Sequence, residues 1–128
     1  MERFSVQATE KTPSILLDHK QGKLEIKGRS IPSDAVAFYR PLIDRLKHYK
    51  PDGGLPLQAD IFLDFFNTVS SKCILDTLRL LDQLHQNGNK VKINWYYENG
   101  DKDMQEVGID FQAILKLPFT MISVDEED

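Results

Sequence analysis

Residues 57–66 read Leu-Gln-Ala-Asp-Ile-Phe-Leu-Asp-Phe-Phe, the densest apolar stretch of the chain. A period of two puts Ala59, Ile61, Leu63 and Phe65 on one face. Phe62 and Phe66 fall on the other, with Asp60 and Asp64 between them. A strand apolar on both faces is expected at the centre of a sheet covered on both sides. The run passes through Asn67-Thr68-Val69-Ser70-Ser71 into a helical stripe, Ile74, Leu75, Leu78, Leu81 and Leu84, over residues 69–87. Gly88 follows as the expected C-terminal stop. A buried strand feeding directly into an amphipathic helix confines the chain to layered α/β architectures.

The flanking segments extend that pattern. Residues 14–17 and 23–27 read as two strands joined by a hairpin loop at 18–22, with Leu24 and Ile26 facing inward. Ser33 or Asp34 starts a helix over 35–49 through Val36, Tyr39, Leu42, Ile43, Leu46 and Tyr49. Pro41 lies inside it and predicts a kink or break near Arg40. Residues 90–97 alternate again, with Val91, Ile93, Trp95 and Tyr97 on one side. A weaker helix over 102–115 runs through Met104, Val107, Phe111 and Ile114 or Leu115, and 118–124 form a final strand. The predicted order is β-β-α-β-α-β-α-β, a mixed α/β sheet in one domain spanning 1–128. The run Asp125-Glu126-Glu127-Asp128 is expected to be a frayed acidic tail.

Charge and cysteine usage narrow the function. Sixteen Lys and Arg against twenty Asp and Glu leave a net charge of −4, so no global pull toward nucleic acid or anionic membrane exists. Cys73 is the single cysteine, which suits a reducing compartment. The N-terminus shows no signal-like apolar run, and no stretch approaches the ~20 apolar residues of a membrane span. The expectation is a soluble cytoplasmic protein without nucleic-acid or membrane partners.

Catalytic constellations are missing from the pattern. His19, His48 and His85 stand at no metal-ligand spacing, and the glycines form no phosphate-cradling motif. Cys73 falls in the first turns of a predicted helix, which would lower its pKa, yet no base is paired with it in sequence. The expectation is a protein that is no enzyme and carries no catalytic residue, metal or cofactor.

The sharpest chemical feature is the loop Asn67-Thr68-Val69-Ser70-Ser71-Lys72. Three hydroxyls meet the first N–H groups of a helix, which lack intrahelical partners and carry the positive end of the dipole. A phosphoryl group on Thr68, Ser70 or Ser71 would find those donors, with Lys72 close by. A free anion would find the same donors. Plain capping by Asn67 or Thr68 explains the residues equally well and, on chemistry alone, is the commoner outcome. Asp64, near the end of the strand, either supports this loop by accepting its hydrogen bonds or acts directly.

Several stretches together resemble the SiaC family of small bacterial regulatory phosphoproteins. They are Thr12-Pro13-Ser14-Ile15 with Asp18, Gly22 to Pro32, and Phe38-Tyr39-Arg40-Pro41-Leu42-Ile43. Leu63-Asp64-Phe65-Phe66-Asn67-Thr68-Val69-Ser70-Ser71-Lys72 and Trp95-Tyr96-Tyr97-Glu98 through Asp101, with Asp103-Met104 and Glu106-Val107-Gly108, complete the likeness. One departure follows Gly28-Arg29-Ser30: the family often has Pro-Glu after that stretch, and here Pro32 is followed by Ser33-Asp34. The resemblance implies a switch protein with a fold similar to STAS-domain anti-sigma-factor antagonists.

It also implies that Thr68 is the phosphoacceptor, with Asp64, Asn67, Ser70, Ser71 and Lys72 shaping the loop. A dedicated protein kinase would add the phosphate and a PP2C-type phosphatase would remove it. The unphosphorylated form would bind and activate a diguanylate cyclase, promoting cyclic-di-GMP signalling and biofilm formation. The alternatives are an anti-sigma-factor antagonist in a partner-switching cascade and a small anion or ligand sensor.

Overall fold

The computed structural model describes residues 3–125. A six-stranded sheet runs in sequence order, β1 (Phe4–Val6), β2 (Ser14–Asp18), β3 (Lys23–Ser30), β4 (Leu57–Phe66), β5 (Val91–Glu98) and β6 (Phe119–Val124). The first three strands pair antiparallel, and β3 to β6 pair parallel. Three helices cross between the parallel strands, α1 (Ala35–Lys47), α2 (Thr68–Gln86) and α3 (Lys102–Ile114). The mixed α/β class agrees with the sequence reading. The added strand is β1, whose three residues are too short to show a period.

Parallel strands in sequential order, joined by right-handed crossovers, place every helix on the same side. Leu24, Ile26, Ala59, Ile61, Leu63, Ile93 and Trp95 face those helices and are buried. The opposite face carries Glu25, Lys27, Asp60, Phe62 and Tyr96, none of them buried. The expectation of a sheet covered on both sides is therefore wrong. Of the two rings that suggested it, Phe62 stacks on Tyr96 at 6.1 Å and Phe66 packs against the core. Asp60 on that face is held by the side-chain amides of Gln58 (3.0 Å) and Asn94 (2.9 Å). Phe65 also departs from the inward reading, being 52% exposed. The β3–β4 register shifts between Gly28 and Arg29, just before Phe65.

Pro41 does not break α1, which continues from Ala35 to Lys47. The ring deletes one N–H, while Tyr39, Leu42 and Leu46 stay buried around it. Burial of that face holds the helix through the lost bond. In α3 the buried residue at the end of the pattern is Leu115, and Ile114 is 49% exposed. Gly108 of α3 lies against the indole of Trp95. A Cβ there would stand 2.5 Å from Trp95 Cδ1 and 2.7 Å from Met121 Cε. No described helix is long and apolar enough to cross a membrane.

Candidate functional site

The C-terminal ends of β3 and β4 and the starts of α1 and α2 meet at one end of the sheet. In open α/β sheets such ends are where ligands and chemistry collect. Asn67 is the N-cap of α2, and its Oδ1 accepts the Ser70 N–H at 2.8 Å. The Asn67 N–H donates to Ser30 O (3.1 Å), which ties the loop to the end of β3. Thr68 is the first helical residue and is exposed. Its hydroxyl therefore stands at the open first turn, where backbone N–H groups lack intrahelical acceptors.

The three hydroxyls of the loop separate by burial. Ser70 is fully buried, and its Oγ accepts from Ser30 Oγ at 2.9 Å. Ser30 Oγ also shares a hydrogen bond with Tyr39 Oη at 2.7 Å. This dry cluster joins β3, α1 and α2 directly beneath the loop. Burial pushes the Tyr39 phenol up to about 12. Ser71 is half-buried. Only Thr68 presents an exposed hydroxyl in this turn.

The remaining sequence candidates divide. Lys72 is exposed on α2, four residues after Thr68 and so on the same face. Asp64 does not support the loop by hydrogen bonds as expected. Its carboxylate is about half exposed and faces Arg29 at 3.9 Å. Surface pairs of this kind contribute little. The lowered pKa expected for Cys73 is also reversed. Burial pushes the thiol up, and the nearby Asp76 adds to the shift. Burial outweighs the helix dipole here, and Cys73 is packed as a core residue.

Sequence reading missed two parts of this end. Ser30 and Tyr39 carry no local signal beyond a likeness and a place on a helical stripe, yet they form the floor of the loop. Val36, Phe65 and Val69 are each 52% exposed. Among the described residues they are three of the five exposed large apolar side chains, and they lie at the start of α1, the end of β4 and the start of α2. Their shared position at one end of the sheet needed the topology, because 33 residues part Val36 from Val69 in sequence.

The concave surfaces lie elsewhere. One, of about 550 Å³, is at the opposite end of the parallel strands, between Gly22, Leu55, Pro56, His85 and Lys90. It holds no nucleophile paired with a base. Among the described residues no three His, Cys, Asp or Glu side chains converge as a metal site. What the Thr68 end offers is a projecting, partly apolar surface around one hydroxyl, which suits contact with another protein.

Comparison with known proteins gives the same whole-chain picture. The model of the family described as SiaC family regulatory phosphoprotein matches residues 6–124. An uncharacterized protein of Pseudomonas aeruginosa (strain UCBPP-PA14) is 31% identical over 126 residues, covering 98% of this chain and 100% of that protein. The solved structure of SiaC of Pseudomonas aeruginosa superposes with a TM-score of 0.88 at 30% identity, over 97% of this chain and 100% of that one. A further structure, of the diguanylate cyclase SiaD in complex with its activator SiaC from the same organism, matches with a TM-score of 0.87 at 30% identity. That match covers 94% of this chain and 99% of the other.

Proposed function

The chain belongs to the SiaC family, and from that premise we propose that it is a phosphorylation-controlled switch that binds and activates a diguanylate cyclase. The bare form is the binding form, and a phosphate on Thr68 reverses it. A dedicated protein kinase adds that phosphate and a PP2C-type phosphatase removes it. The observation that carries the choice of residue is the separation of the hydroxyls: Thr68 is exposed while Ser70 is sealed in the Ser30–Tyr39 cluster. The complex of SiaD with its activator SiaC supports the choice of partner.

The mechanism follows from what surrounds the hydroxyl. Bare Thr68 shares its end of the sheet with Val69, Phe65 and Val36, all half exposed. Covering these side chains drives docking, at about 25 cal/mol per Å² of apolar surface buried. A phosphate would add about −1.5 to −2 charges at the same place. The helix N-terminus and Lys72 stabilise that dianion in water. Docking would have to strip its water against apolar side chains, which is costly. The phosphate is thus well tolerated by the free protein and poorly by the complex.

The test is titration calorimetry of the cyclase against three forms of this protein: wild type, Thr68→Ala, and wild type phosphorylated in vitro and mapped by mass spectrometry. Thr68→Ala should bind like wild type, and the phosphorylated form should lose at least tenfold in affinity. Equal binding by all three would place the switch elsewhere.

A further inference from the structure

We infer that β6 is a dimerisation edge, at which a second copy of this chain adds its own β6 antiparallel to form one continuous sheet. β6 is the last strand of the sheet. The bonds Ile93 N–H to Pro118 O (2.9 Å) and Asn99 N–H to Val124 O (2.7 Å) fix its phase. In a parallel ladder alternate residues turn both backbone groups to the same neighbour. Thr120, Ile122 and Val124 therefore face β5, and Phe119, Met121 and Ser123 turn their N–H and C=O groups outward.

Unpaired edges are normally blunted by charge, proline or shortness. The other edge obeys that rule: β1 is three residues long, and the Arg45 guanidinium covers its Phe4 ring at 4.2 Å. β6 does not. From Phe119 to Val124 it holds no charge and no proline. Its outward groups are symmetric about Met121. A two-fold axis through Met121 pairs Met121 with itself and Phe119 with Ser123 of the second copy, each pair exchanging both hydrogen bonds. Gln112 Nε2 already donates to Phe119 O (2.8 Å), but a carbonyl has two lone pairs and can accept both.

Two further observations select a second copy in this orientation. The Gln112 contact places that side of α3 over the outer edge of β6. Ile109, one turn earlier on the same side, is 47% exposed, so both layers of the molecule present apolar surface at this edge. The ends of the strand are also complementary. Antiparallel pairing brings exposed Asp125 of one copy past exposed Lys116 of the other, whereas parallel pairing would set Asp125 against Asp125.

Sedimentation equilibrium over a wide concentration range should find a monomer–dimer equilibrium. Ser123→Pro removes an outward N–H and leaves the β5 ladder whole, and it should weaken the dimer by roughly tenfold or more. Ile109→Lys should weaken it as well, by an independent route that leaves the strand untouched. Lys116→Glu should weaken it, and adding Asp125→Lys should restore it. Hydrogen exchange at Phe119, Met121 and Ser123 should slow with rising concentration in wild type only. A wild type that stays monomeric throughout would overturn the inference. So would a dimer whose strength and exchange ignore all of these substitutions.

Discussion

The helices that follow β4 and β5 begin alike and differ in one respect. Each opens with an Asx cap: Asn67 Oδ1 accepts the Ser70 N–H at 2.8 Å, and Asp101 Oδ1 accepts the Met104 N–H at 3.1 Å. The first helical residue is Thr68 in α2 and Lys102 in α3. At α3 the cap is an anion, and Asp103 adds a second carboxylate in the first turn. The positive end of that helix is already neutralised. At α2 the cap is a neutral amide and the first turn holds no acid. The same capping device is closed by its own charge at one helix and left open to an incoming anion at the other. That is the physical difference between a structural helix start and one suited to a phosphate.

The comparison breaks hardest at the first helical position. Thr68→Glu should weaken cyclase binding by roughly 30-fold, the size of a hot-spot loss of about 2 kcal/mol. Lys102→Glu makes a larger charge change at the matching position of α3 and should alter binding less than about twofold, as for a distant surface charge. Equal losses would mean that net charge, and not the place of the charge, controls the complex.

A second contrast lies in what anchors each helix. α3 is held by tight apolar packing, with Gly108 against the indole and Trp95 Nε1–H donating to Met104 O at 3.1 Å. Gly108→Ala has no room, and should cost about 1–3 kcal/mol in denaturant unfolding, as overpacking does. α2 buries Ile74, Leu78 and Leu81 in the core, and its first turn is tied down in addition by hydroxyls. Ser30→Ala removes the atom shared by Tyr39 and Ser70 and should cost about 1–3 kcal/mol, the penalty for buried polar groups left unmatched. Both variants should still bind the cyclase once folded.

Burial of Tyr39 also gives the fold an alkaline limit. The Tyr39 phenol keeps its proton in the fold to about 12, against 10.0 as its ordinary value. Below pH 10 the folded and unfolded chains both hold the proton, and this contribution is intact. Between pH 10 and 12 only the unfolded chain ionises, so stability is lost as pH rises through that window. Urea midpoints across it should fall in wild type and fall less in Tyr39→Phe.

These two helix starts also show what a sequence can and cannot disclose. The cap of α2 was readable as Asn67 or Thr68, because such residues before an apolar stripe have a local cause, whereas Asp101 at α3 did not stand out as a cap. The strand–helix alternation was readable for the same reason. The uncovered sheet face was not. Phe62 looks like a core residue in a strand, and only the sequential strand order, which sends every crossover to one side, leaves its face bare, while Phe66, past the register shift, packs against the core. Ser70 was readable as a hydroxyl but not as a buried one, since its partner Ser30 lies 40 residues away. Asp64 sat in the right place for loop support and yet faces Arg29, because the register shift beside Arg29 falls between the two strands and not within either sequence. Local chemistry located the candidate loop. Non-local contacts sorted its residues.

The smallest expected effect sharpens the comparison most. Exchanging the caps leaves each hydrogen-bond acceptor in place and moves only a charge. Asn67→Asp should stabilise the bare protein by about 0.3–1 kcal/mol, and Asp101→Asn should destabilise it by a similar amount. The decisive reading comes after phosphorylation of Thr68. A carboxylate at 67 and a phosphate at 68 would compete for the same N–H groups and repel each other. Phosphorylation should therefore raise the unfolding midpoint of wild type and lower that of Asn67→Asp, with Asp101→Asn following wild type. If phosphate raised the midpoint of Asn67→Asp as much as that of wild type, the neutral cap would have no part in accepting the charge. Asn67 would then be a cap like Asp101, and the openness of α2 would rest on Lys72 alone.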